Sequence, residues 1–175
     1  MLTRSNTNNI LLPQKKKFEA QSLTLEQVKI LIEAIENDKA EIPLYLAACL
    51  GLRASEISGL MWKHFDNKNK KIIVEQAIVL DKDNKKVIKN TKTTNSTRIV
   101  SLPEFLFIKL DTLSENKNPN EHIVTMSLNT VREHLNKICT TNDIPHIRLH
   151  DLRHINASIM LLLNIPQKYA MERGG

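Results

Sequence analysis

No apolar run in these 175 residues reaches the ~18 that a membrane span needs. The opening Met1-Leu2-Thr3-Arg4-Ser5-Asn6 lacks the apolar core of a signal peptide, so the expectation is a cytoplasmic protein with no membrane partner. Cysteine is scarce. Cys49 and Cys139 each fall in an apolar helical pattern without metal-ligand spacing, which argues against a disulfide framework and predicts buried, reduced thiols. His122, His134 and His146 stand alone, with no partners at metal spacing, and are read as surface or structural residues. With only 4 glycines there is no glycine-rich loop to cradle a phosphate, and no internal repeat is visible.

What is present is one domain's length of chain with a basic balance. Lys and Arg number 25 against 19 Asp and Glu, a net charge of +6 that points to a polyanionic partner. Residues 1–20 are polar, with Pro13 ahead of Lys15-Lys16-Lys17, and read as a linker or basic arm. Residues 21–175 read as the folded part. Thr24 and Gln27 make a capping box before a helix whose buried stripe is Val28, Leu31, Ile32 and Ile35. Residues 42–50 form an almost wholly apolar, hence central, helix with Gly51 as its stop. Trp62, the one tryptophan, is expected to anchor the core. From Lys70 the period becomes that of strands. Residues 72–80, 87–88 and 98–102 are expected to make a three-stranded antiparallel sheet. Helices return at 104–113, from Ser127 as the cap through Thr140, and at 167–173 behind Pro166. The fold class is therefore α+β, mainly α.

Three stretches carry chemistry. Residues 148–163 read Arg-Leu-His-Asp-Leu-Arg-His-Ile-Asn-Ala-Ser-Ile-Met-Leu-Leu-Leu. As one helix they would put His150 and Arg153 on one face with His154 beside them, and bury Leu152, Ile155, Ile159, Leu162 and Leu163. A guanidinium that holds two oxygens, next to an imidazole that moves a proton, suits a phosphate. A solvated or capped helix start accounts for the same residues. At 50–60, Leu-Gly-Leu-Arg-Ala-Ser-Glu-Ile-Ser-Gly-Leu places Arg53 just before a helix, either as a functional cation or merely paired with Glu56 at i, i+3. Between the second and third strands, Asn90-Thr91-Lys92-Thr93-Thr94-Asn95-Ser96-Thr97 forms a cationic, hydroxyl-rich hairpin tip. A soluble loop has such a composition too. Yet Lys82, Lys85, Lys86, Lys89, Lys92 and Arg98 stand against Asp83 alone, which favours a hairpin facing phosphates, with Lys89, Lys92 and Arg98 as DNA-binding candidates.

Taken in order, Leu-Gly-Leu-Arg-x-x-Glu-Ile-x-x-Leu at 50–60, the Lys92 hairpin, and His150-x-x-Arg153-His154 before an Ala-Ser helix resemble one family. It is the tyrosine recombinases, the phage and conjugative-transposon integrases, and the resemblance to their catalytic domain spans residues 21–175. It implies site-specific recombination, the integration or excision of a mobile element, by cutting and rejoining DNA through a phosphotyrosine intermediate. Its partners would be double-stranded DNA attachment sites, with a monomer free in solution and a tetramer on DNA. No metal and no cofactor are implied. Arg53 and Arg153 would clamp the scissile phosphate, Lys92 would protonate the departing 5′ oxygen, and His150 would assist proton transfer. Glu56 and His154 match supporting positions.

One departure stands out. In the family, the helix matching 172–175 runs on into a His or Trp and then, a short way further, the nucleophilic Tyr. Tyr45 and Tyr169 are the only tyrosines here, and neither matches that position. The expectation is a catalytic domain incomplete at its C-terminus, with no nucleophile in this chain and no cleavage by it alone. Two other classes remain: a non-catalytic DNA-binding module using the same basic surface, and a metal-free phosphoesterase with His150 as nucleophile and Arg153 as clamp.

Overall fold

The structure, a computed structural model, describes residues 23–80, 86–90 and 97–165. The lysine triplet at 15–17, the turn at 81–84, Lys92, Tyr169 and the helix expected at 167–173 lie outside them.

Helix α1 (Leu25–Ile35) starts where its capping box dictates. Thr24 Oγ1 accepts the Gln27 N–H at 3.2 Å, and Gln27 Oε1 accepts the Thr24 N–H at 3.0 Å. Its stripe of Val28, Leu31, Ile32 and Ile35 is buried as the spacing predicts. Helix α2 (Glu41–Ala48) is buried from Pro43 through Ala48, since a helix apolar on all sides has no face to give to water. It is the centre of the molecule. Gly51, just beyond it, has φ +61°, a left-handed conformation that glycine adopts without a Cβ clash. Helix α3 (Ala54–Gly59) then starts at Arg53.

The sheet is three-stranded and antiparallel, but its members differ from those expected. Strands β1 (Phe65–Asp66), β2 (Lys71–Val74) and β5 (Arg98–Ser101) pair in the order β1-β2-β5. The strands β3 (Gln76–Leu80) and β4 (Lys86–Asn90) form a separate two-stranded hairpin. The long apolar run from Ile72 to Leu80 changes partner at Glu75: Val74 pairs with Arg98, whereas Gln76 pairs with Asn90. Each ladder needs its own neighbour, and β5 reaches no further along the run than Val74.

Helices α4 (Glu104–Ser114) and α5 (Leu128–Thr141) follow, the latter capped by Ser127, whose Oγ accepts the Thr130 N–H at 3.1 Å. Trp62 is buried and meets Phe65 edge-on. Cys49 and Cys139 are both free and buried. His134 is structural, its Nδ1 lying 2.8 Å from Asp38 Oδ1. Residues 148–163 are not one helix. A 3₁₀ turn (Asp151–Arg153) comes first, and α6 (Asn156–Leu162) begins only after it. The cause is Asp151, whose Oδ2 accepts the Arg148 N–H at 2.8 Å and so closes a tight local turn. Leu152 and Ile159 still reach the core, while Ile155, Leu162 and Leu163 are only partly buried against it.

Candidate active site

Two short segments carrying arginine are fastened to the C-terminal end of α2. The first is the chain leaving Gly51, which reaches Arg53 within two residues. The second is the 3₁₀ turn holding Arg153, which packs on α2. Just beyond that turn the Asn156 side-chain amide donates to the Ala48 carbonyl, tying the start of α6 to the same end. Residues a hundred positions apart are thus set against one rigid, buried helix.

Glu56 organises what lies between them. It is 4% exposed. Its Oε2 accepts the Arg53 backbone N–H at 2.7 Å, and Oε1 lies 3.2 Å from Arg53 Nη1. Arg98, the first residue of β5, forks onto the same carboxylate: Nη1 to Oε1 and Nη2 to Oε2, both 2.8 Å. Burial alone would raise the Glu56 carboxyl, but the Arg98 hydrogen bonds, then those from Arg53, bring it below its ordinary value. It is a carboxylate at neutral pH. Having about four lone-pair positions, it is filled by these four donors.

Arg153 lies within electrostatic reach of Arg53, Glu56 and Arg98. Burial first, and then Arg53, hold its guanidinium below its usual value; Glu56 opposes them and Arg98 adds to the repulsion. Its Nη1 is buried and makes no hydrogen bond. Three guanidiniums around one saturated carboxylate leave an excess of positive charge, with a buried donor that has no acceptor. An orphan of that kind costs about 1–3 kcal/mol, more when charged. An anion placed there would relieve both the repulsion and the orphan.

The sequence-based candidates fall unevenly around this cluster. Arg53, Glu56, Arg98 and Arg153 come together. His150 is exposed and meets His154 edge-on, the ring centroids 5.2 Å apart. The backbone of Lys89 pairs with Ala77 in the hairpin. Lys92 lies outside the described residues. Two supporting residues escaped the sequence reading. Asp151 is buried and takes a two-pronged contact from Arg148, Nε to Oδ2 at 3.0 Å and Nη2 to Oδ1 at 2.8 Å. Asn156 is the other. The i, i+3 spacing of Arg148 and Asp151 was a usable signal for the first; nothing local marks the second. Among the described residues no group of His, Cys, Asp and Glu is placed to hold a metal ion, and no helix is long and apolar enough to cross a membrane.

The family model described as the phage integrase family matches residues 21–175. Among curated proteins, a XerC-like tyrosine recombinase of Caldanaerobacter subterraneus subsp. tengcongensis is 23% identical over 187 residues, covering 91% of this chain and 48% of that protein. The chain thus spans about half the length of this relative. Among solved structures, the Tn1549 transposon integrase in complex with circular intermediate DNA superposes with a TM-score of 0.65 at 18% identity, over 87% of this chain and 59% of that one. XerA recombinase gives 0.59 at 19% identity, over 92% and 56%. The integrase from mycobacterium phage Brujita gives 0.57 at 16%, over 91% and 52%. At such identities these likenesses speak for the fold: mainly α, with a small antiparallel sheet.

Proposed function

The chain belongs to the phage integrase family, and from that premise we propose that residues 21–175 are the catalytic domain of a site-specific DNA recombinase, preceded by a linker at 1–20. Its substrate is duplex DNA. Arg53 and Arg153 grip one backbone phosphate and stabilise the charge that develops on it as a tyrosine oxygen attacks and the 5′ oxygen departs. Transfer of this kind depends on positioning and charge stabilisation, and removing one preorganised donor costs ~10²–10³ in rate. Lys92 donates the proton to the leaving oxygen, and exposed His150 assists proton movement near the nucleophile. On DNA the intact protein works as a tetramer.

The observation that carries this reading is the buried, unpartnered Nη1 of Arg153 beside Arg53. Two guanidiniums set within electrostatic reach of each other, against their own repulsion, suit a dianion-like transition state better than they suit a fold. Neither tyrosine of the chain serves as the nucleophile. The Tyr45 hydroxyl is buried 3.5 Å from the Ile32 carbonyl, and burial pushes its pKa up, the reverse of activation. Tyr169 precedes Gly174-Gly175 in the sequence, whereas the family's nucleophile follows the matching stretch.

A salt titration tests the proposal. The chain should bind a duplex oligonucleotide with an affinity that falls linearly in a log–log plot of rising salt, as bound cations displace counterions from phosphates. Affinity that ignores salt between low and moderate ionic strength would remove the case for a phosphate-gripping site.

A further inference from the structure

Arg98 is a surprising occupant of Glu56. Arg53 belongs to the same turn as Glu56, so their contact follows from chain geometry. Arg98 comes from a strand 42 residues away and takes both carboxylate oxygens at once. Its side chain is only 26% exposed. Meanwhile Arg153, within electrostatic reach of the same carboxylate, has a buried Nη1 without an acceptor. Glu56 is the carboxylate that acts on that guanidinium, and Arg98 fills two of its acceptor positions.

We propose that Arg98 is a positioning residue that acts by occupying Glu56, so that the Arg153 guanidinium does not collapse onto the carboxylate and stays free for phosphate, while Arg53 keeps a single guanidinium contact with Glu56. This rests on the reading of Arg53 and Arg153 as the phosphate clamp. Arg98 itself need not touch DNA. A lysine could not replace it, because an ammonium is a point charge without the fork that covers both oxygens. Removing Arg98 would free two acceptor positions on a buried carboxylate that lies within electrostatic reach of the unpartnered Arg153 Nη1. The site would then neutralise itself.

The test uses duplex DNA affinity and its salt dependence for wild type, Arg98→Met, Arg98→Lys, Glu56→Gln and Arg98→Met/Glu56→Gln, each checked by urea unfolding to be folded in the binding buffer. Arg98→Met should lose ten-fold or more in affinity, and its log–log salt slope should shrink by about 0.9, the share of one phosphate contact. Arg98→Lys should fall between Met and wild type. The double variant decides the question. If Arg98 acts through Glu56, abolishing the carboxylate charge in the Arg98→Met background restores most of the affinity and the full salt slope. The coupling is read as the loss caused by Arg98→Met with Glu56 present against the loss it causes in the Glu56→Gln background, and the first should be clearly the larger.

If Arg98 contacts phosphate directly, the double variant stays as weak as Arg98→Met, and the proposal is overturned. It is equally overturned if Arg98→Met binds like wild type. Should Arg98→Met fail to fold, the Arg98→Lys and Arg98→Lys/Glu56→Gln pair carries the same comparison. Wild type that shows no salt-dependent binding contradicts the clamp itself, an outcome separate from any of these.

Discussion

His64 is a buried imidazole with both nitrogens engaged. Its Nδ1 accepts the Met61 N–H at 3.0 Å, which puts the neutral ring's proton on Nε2, 3.1 Å from Glu75 Oε1. Burial lowers its pKa, Glu75 opposes this, and Lys63 and His122 add to the lowering. A histidine held below its ordinary value contributes stability that is fully present above about pH 6.5 and lost as pH falls through the folded value, because the unfolded chain takes up a proton the folded one resists. His64→Asn should therefore flatten the fall in unfolding free energy between about pH 7 and pH 5, measured by urea titrations across that range. An unchanged slope would assign the acid sensitivity elsewhere. Asp151 responds to acid in the same direction, but there the folded state favours the charged form. Arg148 holds its carboxyl below the usual range, so its stabilising contribution is present at neutral pH and lost as pH falls through the folded value. Asp151→Ala should cost about 1.5–3 kcal/mol in a urea melt, the scale of hydrogen bonds to a charged group, and weaken DNA binding further by loosening the turn that holds Arg153. Stability lost with DNA affinity intact would separate the turn from the site.

At the scale of elements, the junction of α3 with β3 sets the tightest constraint. The Gln76 side-chain amide donates to the Gly59 carbonyl at 2.6 Å, and a Cβ added at Gly59 would stand 2.9 Å from the Gln76 backbone oxygen. Backbone cannot step aside, so Gly59→Ala should cost about 1–3 kcal/mol through overpacking. Gly51→Ala meets no atom within 4 Å but must hold φ +61°, at about 1–2 kcal/mol. A crystal structure of each variant distinguishes the two causes: displaced β3 in the first, unmoved neighbours in the second. The same scale shows what the sequence could reveal. Caps at Thr24 and Ser127 were legible because a cap and the N–H it satisfies lie three residues apart. The partner switch at Glu75 was not, because whether Val74 faces Arg98 or a hairpin strand depends on the whole sheet. The 3₁₀ turn at Asp151 was masked by apolar spacing that continues at helical period straight through it.

Across the whole molecule, the site is built by bringing distant short motifs to one helix end. Arg53 and Arg153 could be picked out in the sequence only because each sits in a recognisable local pattern, and the patterns come in a family's order. The fork from Arg98 to Glu56 has no such pattern, since a pairing over 42 residues leaves no spacing to read. The assignment of tyrosines is testable at this scale. Incubated with a nicked suicide substrate, the 175-residue chain should form no covalent protein–DNA adduct on a denaturing gel, whereas an adduct lost in Tyr169→Phe would make Tyr169 the nucleophile. The central claim, that Arg53 and Arg153 grip one phosphate, is tested most directly by the duplex DNA affinity of wild type, Arg53→Ala, Arg153→Ala and the double variant at fixed salt. Each single change should weaken binding about ten-fold or more, and the double should lose clearly less than the product of the two, because the second arginine has little left to hold once the first is gone. Losses that multiply in full would place the two guanidiniums on separate phosphates and contradict the account.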